Sequence, residues 1–203
     1  MKIIIILLSL LLIPLQANAI QNMQSNPHLN ILNKRLNYKE MRNRGVVMQG
    51  YDLSCGSAAL ATLFRYYYGD KTGEKEILDY IMQERKASLL KNIEKPKGLS
   101  LYDLKVVAEH FNYRSSGFRI SFEELYNLSG PVIVHLEDDS GGHFAVLKGI
   151  KKVKKANRVY LADPSNGNTK MSVHRFKERW NGIIFVVEHN EKPILANSPL
   201  VMH

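Results

Sequence analysis

Cys55 is the only cysteine among 203 residues, so no internal disulfide can form and no C-x-x-C metal or redox pair exists. No two of the seven histidines stand at H-x-x-x-H spacing, and neither a structural zinc nor any other cofactor is expected. The G-x-x-x-x-G-K-[ST] phosphate loop is absent, which excludes an ATPase of that kind. Nor is there a transmembrane bundle, an internal repeat, a second composition regime or a long low-complexity linker. Acidic residues are in deficit: 19 Asp and Glu face 28 Lys and Arg, for a net charge of +9. The densest basic cluster, Lys151-Lys152-Val153-Lys154-Lys155, lies between two apolar runs without interleaved aromatics. It reads as a solvated hairpin loop, and nucleic acid is not an expected partner.

The start of the chain has the form of an export signal, with an uncleaved N-terminal anchor as the alternative. Lys2 supplies a positive charge, Ile3 to Leu15 is almost wholly apolar, and Ala17-Asn18-Ala19 has the small-x-small form of a signal-peptidase site. That apolar run falls short of the ~20 residues a membrane span needs. Residues 1–19 are therefore expected to be a signal peptide, with a mature chain starting near Ile20, not stably inserted in a membrane, and periplasmic or secreted. The remaining residues suit one domain, with an N-terminal arm over 20–45, a folded domain over 46–190 and a C-terminal tail over 191–203.

Within the domain, helices come first and strands second. Leu60, Leu63, Phe64 and Tyr67 follow the i, i+3, i+4, i+7 spacing and predict a helix over 56–68 ending at Gly69. Thr72 is placed to cap a second helix carrying Ile77, Leu78, Ile81 and Met82. Ser100 and Asp103 form a capping-box pattern before a third, with Leu101, Leu104, Val107, Ala108 and Phe111. A short fourth helix is expected after Ser121. Four β-rich runs follow: 131–136 (PVIVHL), 143–150 (HFAVLKGI), 158–162 (RVYLA) and 183–187 (IIFVV), separated by Gly, Asn, Asp and Pro turns. This order predicts an α+β fold, with an antiparallel sheet packed on the first helix.

Cys55 falls at the start of that helix, where the dipole and a nearby imidazolium lower a thiol pKa and generate the nucleophilic thiolate. The alternative is a buried, inert thiol. Gln49 precedes it by six positions, far enough for its amide to fold back beside the thiol and, with the Cys55 N–H, form an oxyanion hole. Gly141-Gly142-His143 puts an imidazole at a strand start, and Asp163 ends the next strand in Leu161-Ala162-Asp163-Pro164. Antiparallel neighbours would bring these two side chains together. The acid would then fix the histidine tautomer, as a Cys-His-acid set requires.

Gln49 to Ala59, Gly142-His143, Ala162-Asp163-Pro164 and Trp180-Asn181-Gly182 together resemble the double-glycine-leader peptidases, the bacteriocin-processing branch of the papain-like cysteine peptidases. The resemblance runs from about Val46 to Val187. It implies a papain-like fold with Cys55 as nucleophile, His143 as general base and acid, Asp163 as orienting group and Gln49 as oxyanion donor. It further implies a peptide or protein substrate cut after small residues such as Gly-Gly. The signal sequence, "DLSCGSAALATL" and "WNGI" are closest to free-standing exported members associated with secretion of amyloid fibre subunits, whose partners would be a fibre subunit or an outer-membrane secretion component. Many family members carry an acid immediately before the cysteine; here Ser54 stands there, with Asp52 further back.

The other histidines fit the chemistry less well. His110 is expected to be partly buried on the third helix, His135 alternates within a strand, His174 follows a turn, and His28, His189 and His203 lie in terminal segments. Two alternatives to an endopeptidase keep the same groove: a module that holds an exported peptide without cutting it, and another papain-like amide hydrolase or acyltransferase.

Overall fold

The computed structural model describes residues 38–89, 98–138, 141–153 and 156–202. The expected signal peptide, the arm up to residue 37 and Lys154-Lys155 of the basic loop lie outside the described residues. The chain divides into two units, residues 1–41 and 42–203. Of the first, only 38–41 are described, and they are helical. All elements numbered here belong to the second.

Helix α1 (Cys55–Tyr66) is buried on every side over nine consecutive residues, Gly56 to Phe64. The sequence stripe at 60, 63, 64 and 67 marks only one of its contacting faces. Small residues at 56, 58, 59 and 61 admit neighbours all round, as a helix in the middle of a domain requires. A Cβ on Gly56 would come within 3.1 Å of Leu104 and 3.2 Å of Phe144. Phe64, fully buried, stacks on Tyr113 at 3.9 Å between centroids. Removing such a ring typically costs about 3–5 kcal/mol.

Helix α2 (Glu74–Leu89) starts later than Thr72 would place it. The Thr72 N–H and hydroxyl are instead held by Asp70 Oδ1, at 3.2 and 3.1 Å. The Gly73 N–H donates to Glu76 Oε2 at 2.7 Å, so an acid in the first turn does the capping. Met82, expected on the buried stripe, is exposed. Helix α3 (Leu101–His110) opens with the predicted reciprocal Ser100–Asp103 box. Asp103 also pairs with Arg85 Nη2 at 2.7 Å, tying α3 to α2.

The six strands are β1 (Arg114–Arg119), β2 (Val132–Asp138), β3 (Gly141–Val153), β4 (Ala156–Asp163), β5 (Gly167–Ser172) and β6 (Trp180–Glu188). They form one antiparallel sheet in the order β1-β6-β2-β3-β4-β5. Strand alternation splits the core in two. Ile133, Phe144, Val146, Ala162 and Phe185 pack with α1, while Val134, Ala145, Leu147, Leu161 and Ile184 face Phe176, Trp180 and Leu125. Phe176 comes from the short helix α4 (Val173–Arg179), and Leu125 from the 3-10 turn Glu124–Asn127, which stands where a fourth helix was expected.

The C-terminal segment returns to α1. The Leu195 N–H donates to the Tyr67 carbonyl at 2.9 Å, the Ser198 hydroxyl to Tyr66 at 2.6 Å, and Leu200 is fully buried. No helix among the described residues is long and apolar enough to cross a membrane.

Candidate active site

Cys55 is the first residue of α1 and is half-buried. Ser54 occupies the N-cap position, but its side chain makes no capping bond. The first-turn N–H groups are therefore free to point at whatever negative charge forms there. Just upstream, Leu53 adopts φ +61, a left-handed conformation that costs a non-glycine residue energy and makes the sharp entry into the helix.

His143 sits near the start of β3 and Asp163 at the end of β4, as the strand reading anticipated. His143 Nε2 lies 2.9 Å from Asp163 Oδ1. With Nε2–H committed to the carboxylate, Nδ1 is the nitrogen left for the thiol, and the Cys55 side chain hydrogen-bonds the imidazole. Asp163 is itself held by four donors. The Ser165 and Asn166 N–H groups reach Oδ1 at 2.8 and 3.2 Å, and Asn166 Nδ2 reaches Oδ2 at 3.2 Å, besides the imidazole.

The same turn positions Gln49. Its N–H donates to the Pro164 carbonyl at 2.9 Å, and its Oε1 accepts from Ser165 Oγ at 2.9 Å. An amide whose oxygen is occupied presents its NH2 outward as a donor. One turn after β4 thus orients both the histidine and the glutamine.

Burial alone would push the Cys55 thiol up. The hydrogen bond with His143, the backbone hydrogen bonds at Phe144 and Gly56 and the imidazole charge outweigh it, and the thiol lies below its ordinary value. Burial would push His143 down, yet the bonds to Asp163 and Cys55 raise it to about 9. Asp163, despite burial, is held low by His143 and the turn's donors. All three directions favour the proton on the imidazole and the negative charge on sulfur over the neutral pair.

One residue at the site escaped sequence reading. Glu74, at the first position of α2, is buried. Its carboxylate accepts the Gly50 N–H with both oxygens at 3.0 Å, and Oε1 lies 2.5 Å from Ser54 Oγ. The contacts span 20 and 24 residues, and an acid in a first turn carries no mark that separates it from an ordinary dipole-favoured one.

Other described histidines have different neighbours. His110 is exposed and stacked on Tyr80 at 3.8 Å, contrary to the expected partial burial, because that helix face meets a ring and not the core. His135 accepts from Asn181 Nδ2 at 3.0 Å, and His174 is exposed. Among the described residues no group of three or more His, Cys, Asp or Glu side chains could hold a metal.

A helix that presents a cysteine to a sheet carrying a histidine and an acid is the papain-like arrangement. The Peptidase C39 family model matches residues 43–192, and this chain belongs to the peptidase C39 family. Two curated relatives, each named probable functional amyloid protease FapD, are 32% identical to it. The Pseudomonas aeruginosa protein aligns over 73% of this chain and 62% of its own length. For the Pseudomonas fluorescens protein the shares are 77% and 66%. The chain thus spans a little under two thirds of these relatives. Among solved structures, the peptidase domain of Streptococcus ComA, a bifunctional ABC transporter involved in a quorum-sensing pathway, superposes with a TM-score of 0.57. That likeness has 18% identity and covers 71% of this chain and 98% of that one. A double glycine motif protease from an AMS/PCAT transporter, in complex with a leader peptide, matches with a TM-score of 0.55 and 27% identity over 73% of this chain and 90% of that one.

Proposed function

We propose that the protein is a thiol endopeptidase that cuts a peptide or protein substrate after small residues such as Gly-Gly, with Cys55, His143, Asp163 and Gln49 as its working groups. The observation that carries this reading is the His143 imidazole between the Cys55 side chain and Asp163 at the N-terminus of α1. The Cys55 thiolate attacks the scissile carbonyl carbon. The developing oxyanion takes hydrogen bonds from the Cys55 N–H and Gln49 Nε2–H. His143 gives its Nδ1 proton to the leaving amine, and a thioester remains. A water then loses a proton to His143 as it attacks the thioester, which frees the shortened peptide acid and restores the thiol.

The FapD relatives and the leader-peptide complex support a substrate that is itself exported, such as a fibre subunit. The signal sequence over 1–19 supports a periplasmic or secreted site of action, with 46–190 as the peptidase domain, between the 20–45 arm and the 191–203 tail. A non-cleaving peptide module would have no use for a thiol, an imidazole and a carboxylate aligned in this way.

The test is cleavage of a fluorogenic peptide with Gly-Gly ahead of the scissile bond, and of exported proteins from the source cells, by wild type and Cys55→Ala. Wild type is expected to cut and Cys55→Ala to leave substrate intact. Equal cleavage by both proteins would overturn the reading.

A further inference from the structure

We propose that Glu74 is a positioning residue of the thiol site: its buried carboxylate holds the 49–54 turn in place and keeps the Ser54 hydroxyl from capping α1. The proposal rests on the thiol-peptidase reading and extends it to the device that keeps the site open.

Two acids lie in the first turn of α2, Glu74 and Glu76. Glu76 takes the Gly73 N–H and so caps its own helix. Glu74 instead faces the neighbouring turn, where it takes the Gly50 N–H and lies 2.5 Å from the Ser54 hydroxyl. The hydrogen bonds of Glu74 go to that turn and not to its own helix, and burying a carboxylate is unfavourable unless its partners compensate.

Ser54 is the N-cap residue of α1 and is completely buried. A serine there normally accepts the N–H of the second or third helical residue, here Gly56 or Ser57. The Gly56 N–H is one of the backbone groups that lower the Cys55 thiol. A capping Ser54 would therefore compete with the thiolate for its own stabilising donor. The Ser54 hydroxyl lies 2.7 Å from the Tyr51 carbonyl and beside Glu74, and it makes no capping bond. Glu74 thus leaves the helix terminus open to charge forming on Cys55.

The second anchor acts on Gln49. Gly50 follows it directly, and Gln49 is fixed on its other side by Pro164 and Ser165. With both ends tied, the amide is held against movement, and a displacement of about 1 Å at such a group can cost on the order of 100-fold in rate.

The test uses the full chain and two assays: turnover of the Gly-Gly fluorogenic peptide, and the pH profile of Cys55 alkylation by iodoacetamide, which needs no peptidase activity. Glu74→Ala is expected to lower kcat by about tenfold to 100-fold with KM little changed, and to move the alkylation profile to higher pH. Adding Ser54→Ala removes the competing cap, so the double variant should regain the wild-type alkylation profile while its kcat stays low. Glu74→Gln, which keeps an acceptor for Gly50, should recover most of the turnover. If Glu74→Ala does not fold, Glu74→Asp, one methylene too short to reach both donors, is judged by the same criteria. A wild-type alkylation profile together with wild-type kcat, in a variant that has lost only thermal stability, would overturn the proposal. Cleavage that survives in Cys55→Ala would instead overturn the thiol-peptidase reading.

Discussion

The two ends of α1 carry two partly buried polar clusters with opposite characters. Beyond its C-terminal end, Asp70 accepts from Lys192 Nζ, from the Tyr113 hydroxyl at 3.1 Å, and from the Thr72 N–H and hydroxyl. Although burial would raise it, these donors hold its carboxyl well below the usual range, and Tyr113 is pushed well up by burial and by Asp70. Donors and acceptor are matched, and the cluster ties the C-terminal segment to the helix. At the N-terminal end, Asp163 is equally well supplied, but the chain of bonds it starts ends on a sulfur at an uncapped helix start. One end stores its charge in closed contacts. The other leaves a thiol beside an imidazole at a helix start that Ser54 does not cap.

If that contrast is right, substitutions at the N-terminal end change rate and those at the far end change stability. Gln49→Ala should lower kcat by about 100-fold to 1000-fold, because the transition state loses a preoriented donor that the ground-state carbonyl hardly uses. Its melting temperature should move little, since the change removes one exposed hydrogen bond to Ser165. Single-turnover cleavage compared with thermal melts checks this. Lost stability with retained turnover would make Gln49 a turn-packing residue.

A smaller effect concerns pH. The reactive form needs the imidazole protonated, so activity should fall as pH rises through about 9, where His143 loses its proton. The same shift bears on stability. His143 is raised above its unfolded value near 6.5, so its contribution is complete below that pH and is lost as pH rises through about 9. Asp163 runs the other way, stabilising above its unfolded value near 4 and losing that contribution in acid. A kcat profile with no alkaline limb would separate His143 from the chemistry.

The smallest effect lies at the far end. Asp70→Ala should cost about 1–3 kcal/mol of stability by leaving the Tyr113 hydroxyl without its acceptor, and leave turnover per folded molecule unchanged. Because Asp70 is depressed in the folded state, wild type should hold this margin above pH about 4 and lose it in acid, while Asp70→Ala shows a flatter acid limb. Denaturant melts across that range measure it. A large drop in kcat would mean that the two ends are coupled.

What the sequence made legible at the site was whatever carries a local signature. Cys55 opens an apolar helical stripe, His143 follows two glycines at a strand start, Asp163 precedes a proline turn, and Gln49 lies within chain reach of the thiol. Glu74 carries no such mark, because its meaning comes from Gly50 and Ser54, 24 and 20 residues away. The fold divides in the same way. The central strands were readable because both of their faces are apolar and buried. The edge strands β1 (RSSGFR) and β5 (GNTKMS) were missed because they sit at the ends of the sheet, where solvent accepts Ser, Arg, Asn and Lys. Helix α4, only seven residues long, buries the single side chain Phe176 and shows no repeat.

Each rate effect above depends on the Cys55 sulfur being held at the N-terminus of α1 as a thiolate paired with His143. The pH profile of Cys55 alkylation by iodoacetamide, measured on wild type and His143→Ala, tests it most directly. Wild type should react well below the ordinary thiol value of about 8.5, and His143→Ala should move the profile up towards it. Wild-type alkylation no faster than that of a model peptide thiol, unchanged by His143→Ala, would contradict it.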